Sequence, residues 1–349
     1  MDADPEAQPV DVSIVIVSYN TRDLTLACLE SLERHPSRAS AEIIVLDNAS
    51  SDGSADAIGR QFPRVRLMRL GENLGFAAGN NVAAREAIGD YLLLLNPDTE
   101  IRDGTIDAAL AFARQRGPCL VGGRTLFADG RLNRNSCHGW PTLWGVTCQM
   151  LGLSSLARQS RLLNPEGLGR WSRDSSRRVP AITGCFLLLP RAVWHRLDGF
   201  DEAFFMYGEE TDLCMRAAKL GMDRWICKDA TLVHHGGASE PVRVEKMIRL
   251  FAAKARLYRK HWPRLLAWYG ICGLKLWALS RAVGHGLLSR LQPPSAGDVP
   301  ASDVHQPHRI WRTIWQRRGE FTAVQVARVS RACHIDVRAR EGVSSLKPI

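Results

Sequence analysis

None of the apolar runs in this 349-residue chain is long enough to cross a bilayer as a helix. A span takes about 20 residues, and Val12–Val17, the first strongly apolar stretch, is far shorter. Met1–Val10 is acidic and polar and lacks the basic start and apolar core of a signal peptide, so no export leader is expected. Cysteine occurs nine times but never as Cys-x-x-Cys, and the count is odd. Both facts weigh against structural zinc or a disulfide framework. Cys185, Cys214 and Cys227 sit inside apolar or helical patterns, as buried thiols do in a reducing cytoplasm. A glycine-rich phosphate loop is missing too. Gly75-Phe76-Ala77-Ala78-Gly79 lacks the Gly-x-Gly-x-x-Gly spacing, which argues against a dinucleotide site. Aromatic and basic residues are not interleaved on any strand platform, so nucleic acid is not an expected partner.

What is present is strand alternating with helix, in a chain of ordinary soluble composition: 45% hydrophobic and 23% charged. Val12–Val17 is a β-branched strand ending at Ser18-Tyr19-Asn20, and Leu24–Leu32 has apolar residues at helical spacing. Glu42–Leu46 is a second buried strand, closed by Asp47-Asn48-Ala49-Ser50, and a helix follows through Ile58 to Phe62. Val65–Leu70 is a third strand, Gly75–Ala87 a helix and Tyr91–Leu95 a fourth strand. Thr105–Gln115 continues as helix and Cys119–Gly123 as strand. This rhythm specifies an α/β fold, a Rossmann-like, mostly parallel twisted sheet flanked by helices. Arg131–Val179 has little periodicity and reads as containing a mobile loop. Strand character returns over Ala181–Pro190, Thr211–Leu220 is a helix, and Arg224–Cys227 and Thr231–Val233 read as two short strands.

Charge divides the chain. Pro241–Ile349 holds 20 Lys and Arg against 6 Asp and Glu, while the preceding part is net acidic. Such asymmetry attracts a polyanion, either an anionic membrane surface or nucleic acid. From Val242 to about Leu291 the pattern is helical, basic and aromatic, interrupted by Lys275, Arg281 and His285. An amphipathic helix lying in the membrane interface fits that pattern, and so does a helical subdomain packed on the sheet. Gln292–Pro307 reads as a linker, and the basic tail beyond it carries no functional signal. The expected domains are therefore 10–240, catalytic; 241–291, a basic amphipathic helical extension; and 292–349, linker and tail.

Three constellations can carry chemistry. In a parallel sheet the polar residues after strands one, two and four share one edge, where such sheets place ligands. They are Ser18, Tyr19 and Asn20, then Asp47 and Asn48, then Asn96 and Asp98. Asp47 can accept the ring N–H of a base, and Asp98 can hold a divalent cation bridging a diphosphate. An Asn-Pro-Asp turn can also simply end a strand. The second constellation, Tyr207-Gly208-Glu209-Glu210-Thr211-Asp212, fits a general base tuned by a neighbouring like charge. It equally fits acids at a helix N-terminus, worth about 0.3–1 kcal/mol. The third, His234-His235-Gly236-Gly237, offers imidazole to Mn2+ or Mg2+ and also fits a structural histidine.

These pieces, in this order, resemble the family 2 glycosyltransferases of GT-A fold, most of all the rhamnosyltransferase-like branch. The likeness spans roughly Val12 to Ser239. It rests on Val-Ser-Ile-Val-Ile-Val-Ser-Tyr-Asn, on Asp47 to Ser54, on Asn73 to Asn81, on Leu95-Asn96-Pro97-Asp98, on Gly199 to Leu213 and on His234 to Ser239. The resemblance implies that Ser18, Tyr19, Asn20, Asp47 and Asn48 line the nucleotide-sugar pocket, with Asn80, Asn81 and Asn96 near the ribose or diphosphate. It implies Asp98 and His234 as ligands of Mg2+ or Mn2+, and Glu210 as catalytic base supported by Glu209 and Asp212. Asn96 replaces the first acid of the family's Asp-x-Asp motif, leaving the metal one carboxylate fewer. The implied activity is inverting transfer of a sugar, rhamnose in the branch it resembles, from a nucleotide-diphosphate donor. The acceptor is a hydroxyl of a cell-surface or lipid-linked glycan. The expected setting is the cytoplasm, with peripheral contact at the inner face of the cell membrane through the C-terminal part. The rivals are a sugar-phosphate nucleotidyltransferase, which wants a Gly-rich basic loop that Ser18-Tyr19-Asn20-Thr21 is not, and a non-catalytic polyanion-binding protein.

Overall fold

The computed structural model describes residues 9–236, 243–291, 307–322 and 336–338. Gly237 to Ser239 and nearly all of the expected linker lie outside the described residues. The first half alternates as its sequence pattern requires. In order come β1 (Val12–Ser18), α1 (Arg22–Arg34), β2 (Ala41–Asp47), α2 (Ser54–Gln61), β3 (Arg66–Arg69), α3 (Gly75–Arg85) and β4 (Tyr91–Leu95). A short β5 (Thr99–Ile101), absent from the sequence reading, precedes α4 (Thr105–Arg116) and β6 (Cys119–Leu126). Then come β7 (Cys137–His138), α5 (Leu143–Met150), α6 (Leu153–Leu156), β8 (Arg177–Arg178), β9 (Ala181–Ile182), β10 (Phe186–Pro190) and α7 (Arg191–Arg196). The chain continues through α8 (Glu209–Lys219), β11 (Asp223–His234), α9 (Arg243–His261), α10 (Arg264–Leu291), α11 (Pro307–Gln316) and β12 (Asp336–Arg338).

The main sheet runs β12-β3-β2-β1-β4-β10-β6-β11-β5. Strands β3, β2, β1 and β4 are parallel, and β10 enters antiparallel between β4 and β6. The carboxyl ends of β1, β2 and β4 therefore share an edge, as the strand-helix rhythm predicts. The leucine run of β4 shows why it reads as continuously apolar. Leu92 and Leu94 join the core on one face of the sheet, and Leu93 and Leu95 join the core on the other. Each such leucine contributes about 1.5–3 kcal/mol by leaving water.

Three expectations change. The two short strands over Arg224–Val233 are one strand, β11, whose pairing with β6 slips between Cys227 and Thr231. The strand over Ala181–Pro190 is broken in two around Thr183-Gly184-Cys185. Arg131–Val179 contains α5 and α6 rather than only irregular chain, and it joins the C-terminal helices. Val146 of α5 packs with Phe251, Tyr258, Leu274 and Ile314 of α9, α10 and α11. The C-terminal helices thus form a packed layer that includes mid-chain residues. None of the helices among the described residues is long and apolar enough to cross a membrane.

Candidate active site

The loops after β1 and β2 are laced together before any ligand is considered. Asn20 takes a positive φ of 51°, its N–H donates to Ser50 Oγ (2.9 Å), and its Oδ1 accepts from the Ser51 N–H (2.8 Å). Asn48 accepts from the Leu74 N–H (2.9 Å) and donates to the Gly75 carbonyl (3.0 Å), which ties the end of β2 to the start of α3. The Phe76 N–H then donates to the Phe205 carbonyl (2.7 Å), fastening the loop before α8 to the same edge. Gly75 makes that approach possible. It has φ +83°, and a Cβ there would run into the Phe205 carbonyl and ring.

Two groups of side chains emerge among the residues expected at the site. Ser18, Asn48 and Asn81 are committed to protein partners. Ser18 Oγ bonds Thr21 and Thr25 hydroxyls at 3.1 and 3.0 Å. Asn81 turns to the following loop, donating to the Phe200 carbonyl (2.9 Å) and to Glu202 (3.0 Å) and accepting from the Phe200 N–H (2.9 Å). Asn80 donates to the Phe76 carbonyl one turn back (2.8 Å). These side chains are satisfied within the protein. Tyr19, by contrast, stands open on the rim.

The second group has buried oxygens with no hydrogen-bond partner: Asp47 Oδ1, Asn96 Oδ1, Asp98 Oδ1, Glu209 Oε2 and Glu210 Oε2. Three other buried side-chain oxygens among the described residues are bare in this way, on Gln149, Glu166 and Tyr258. A buried polar atom without a partner costs about 1–3 kcal/mol. Five of the eight bare side-chain oxygens among the described residues thus fall at the ends of β2 and β4 and at the start of α8.

Sheet register separates the two histidines. The end of β11 pairs antiparallel with β5, placing His234 opposite Thr99. Successive side chains on a strand point to opposite faces. His235 accordingly reaches Glu100 (Nε2 to Oε1, 2.7 Å), while His234 Nε2 lies 3.3 Å from Asp98 Oδ1. Burial alone lowers the His234 pKa. The Cys185 sulfur and the Asp98 carboxylate outweigh it and push the imidazole up to about 10, and Asp98 is held below its usual value against its own burial. Ligand atoms in cis positions around a Mn2+ or Mg2+ ion are about 3 Å apart, so this pair fits such an ion. No group of three or more His, Cys, Asp or Glu gathers for a metal among the described residues. Further ligands would have to come from substrate or water.

At the start of α8, Gly208 has φ +87° and admits Glu209 and Glu210 into the first turn. Burial, and then the charge of Glu210, raise the Glu209 pKa well above the usual carboxylate range. Glu210 is the less buried of the two. Asp212 lies apart from them in role. It is fully buried, with Oδ1 bound by Lys260 Nζ and His261 Nε2 (2.7 Å each) and Oδ2 by Arg216 Nε (2.7 Å). Its burial opposes ionisation, but His261, Lys260 and Arg216 overcome it and bring the pKa down to about 2. The expectation that Asp212 supports acceptor chemistry is corrected on this point: its carboxylate is spent on holding α9. His138, whose Nε2 lies 3.2 Å from Thr211 Oγ1, and Cys185 reach the site region without any sequence signal, because pairing of short strands brings them there.

The glycosyl transferase family 2 profile matches residues 13–173. That segment is a family 2 glycosyltransferase domain. The chain is 28% identical over 241 residues to the N-acetylglucosaminyl-diphospho-decaprenol L-rhamnosyltransferase of Mycobacterium tuberculosis, covering 64% of this chain and 75% of that protein. It is 25% identical to the low-salt glycan biosynthesis hexosyltransferase Agl10 of Haloferax volcanii, covering 64% and 67%. Its fold is of the GT-A type. The mannosyltransferase PcManGT from Pyrobaculum calidifontis, solved with GDP-Man and Mn2+, superposes with a TM-score of 0.53 at 19% identity, over 92% of this chain and 88% of that one.

Proposed function

We propose that this glycosyltransferase moves a sugar, with rhamnose the first to test, from a nucleotide-diphosphate donor to a hydroxyl of a lipid-linked glycan, with inversion. The observation that carries the proposal is the set of bare, buried oxygens of Asp47, Asn96 and Asp98 at the ends of β2 and β4 and of Glu209 and Glu210 at the start of α8. Asp47 Oδ2 accepts from the Ser50 N–H (3.1 Å), which aims its free Oδ1 at the ring N–H of a base flanked by Tyr19. Asp98 and His234 would hold Mg2+ or Mn2+, with Asn96 beside them. That ion, when bound, supplies positive charge against the diphosphate.

The remaining chemistry belongs to the glutamates. Burial and the neighbouring charge favour the neutral form of Glu209, and Glu210, the less buried of the two, is the group that takes the proton of the acceptor hydroxyl. The oxygen so freed attacks the anomeric carbon on the face opposite the nucleotide, and the nucleoside diphosphate leaves. The donor pocket is walled by Ser18, Asn20, Asn48, Asn80 and Asn81 through the hydrogen bonds described above. The decaprenol relative supports a lipid-linked acceptor, and with it a reaction at a membrane surface. Contact with the inner face of the cell membrane from the cytoplasm is part of the same proposal.

The test is a panel of nucleotide-diphosphate sugars, rhamnose first, incubated with polyprenyl-diphosphate-linked acceptors and Mn2+ or Mg2+. The expected result is metal-dependent transfer with inverted anomeric configuration. Retained configuration would overturn the mechanism, and release of pyrophosphate from a sugar phosphate and a nucleotide would identify a nucleotidyltransferase instead.

A further inference from the structure

Helix α10 has two apolar stripes, only one of which is buried among the described residues. Ala267, Leu274 and Ala278 are buried against α9, α11 and α5. On the other side Leu265, Trp268, Leu276, Val283 and Leu287 are exposed, Leu265 by 75%. Their spacing follows one face of the helix for six turns, about 33 Å. Mid-chain residues extend this surface. Helix α5 lies against α10 through the Thr147–Tyr269 hydroxyl contact (2.6 Å) and the close fit of Gly273 on Val146. The α5–α6 segment exposes Trp144, Leu151, Leu156 and Leu162, with Leu156 at 86%.

Charge around this surface has one sign. Residues 264–291 contain Arg264, Lys275, Arg281 and Arg290 and no acid. Residues 141–170 contain Arg158, Arg161 and Arg170, and their single acid, Glu166, is held by Lys254 at 2.8 Å. Arg158 lies close enough to Arg281 for its charge to lower the pKa of Arg281, after burial. A stripe built to pair with a second copy would carry both signs along its flanks, because like charges across a helix seam repel. Basic flanks around aromatic and aliphatic side chains suit an anionic lipid surface, where long cationic side chains reach the headgroups.

We infer that the outer stripe of α10 together with the α5–α6 segment is an in-plane docking surface for an anionic phospholipid bilayer. The inference deepens the proposed function and rests on it for its purpose, delivery of a lipid-linked acceptor. The docking face is one helix away from the candidate base. Ala253 and Leu257 of α9 pack on Phe204 and Gly208, immediately before Glu209. A docked α10 therefore holds the glutamate pair near the membrane surface, where a polyprenyl-linked hydroxyl resides.

The experiment is flotation of the full chain with phosphatidylcholine vesicles with and without phosphatidylglycerol, in the absence of donor and acceptor. The wild type is expected to float with the anionic vesicles. Leu276→Glu with Val283→Glu should lower its partition at least about tenfold, and Arg158→Glu with Arg161→Glu should weaken only the phosphatidylglycerol-dependent part. These positions are exposed, so near-ultraviolet circular dichroism and metal-dependent hydrolysis of nucleotide sugar should remain as in the wild type. Equal flotation of the stripe variant and the wild type would overturn the inference. So would a wild-type dimer that binds no vesicle and becomes monomeric in the stripe variant. Vesicle binding without any sugar transfer would instead sink the proposed function and leave the docking surface standing.

Discussion

The strand edge that carries Asp98 and the helix seam that carries Asp212 each bury a carboxylate beside a histidine. At the edge, Asp98 Oδ1 has only the unaligned approach of His234 at 3.3 Å, and oxygens of Asp47 and Asn96 nearby are bare as well. At the seam, Asp212 is met by Lys260, His261 and Arg216, and both of its oxygens are filled. The same residue type therefore serves two ends. Unfilled acceptor capacity marks a place kept for a ligand, and saturated capacity marks a joint between parts of the fold. That joint also fixes the first turn of α8, so the seam positions what the edge uses.

Substitutions at the two regions should separate cleanly. The largest effect is expected at Glu210→Gln, with kcat down by about 10²–10⁴, nucleotide-sugar affinity within about twofold by calorimetry, and an unchanged melting temperature. Normal turnover in that variant would remove Glu210 as the base. Asp212→Asn should do the reverse. Removing one partner of a buried ion cluster costs about 3 kcal/mol, read as a lower denaturant midpoint. The loss should be far smaller in a variant that also lacks Lys260 and His261, and an equal loss there would dissolve the clamp. The pH response follows from the same cluster. The folded-state pKa of Asp212 is depressed to about 2, from about 3.9 in the unfolded chain. Its stabilising contribution is thus fully present above about pH 4 and is lost as pH falls toward about 2. Acid titration of wild type and Asp212→Asn should converge in that window. The smallest effect is expected at Asp47→Ala, a rise of about tenfold in donor KM with kcat little changed.

Much of the edge was legible in the sequence, because each strand announces itself by local pattern and parallel order then aligns the ends. Asp47, Asn96, Asp98 and Glu210 came from that logic and from the family resemblance. The choice of His234 over His235 also came from the resemblance, and strand alternation beside β5 supplies its physical reason. The seam was not legible. Asp212 in a first helical turn looks like dipole complementation or chemistry, and nothing local announces Lys260 and His261, which sit 48 and 49 positions further on. The pairing of α5 with α10 joins Thr147 to Tyr269 across 122 residues, in a segment whose weak periodicity reads as loop. Nor does anything local announce that the amide of Asn81 holds Phe200 and Glu202, 119 and 121 residues further on.

The central claim is that bare oxygens at the strand edge, with Asp98 foremost, await a metal-bound diphosphate. Titration of a nucleoside diphosphate onto wild type and Asp98→Ala, with and without Mn2+, tests it most directly. Mn2+ should tighten nucleotide binding at least about tenfold in the wild type and leave the variant unmoved. An equal Mn2+ response in both proteins would contradict the account.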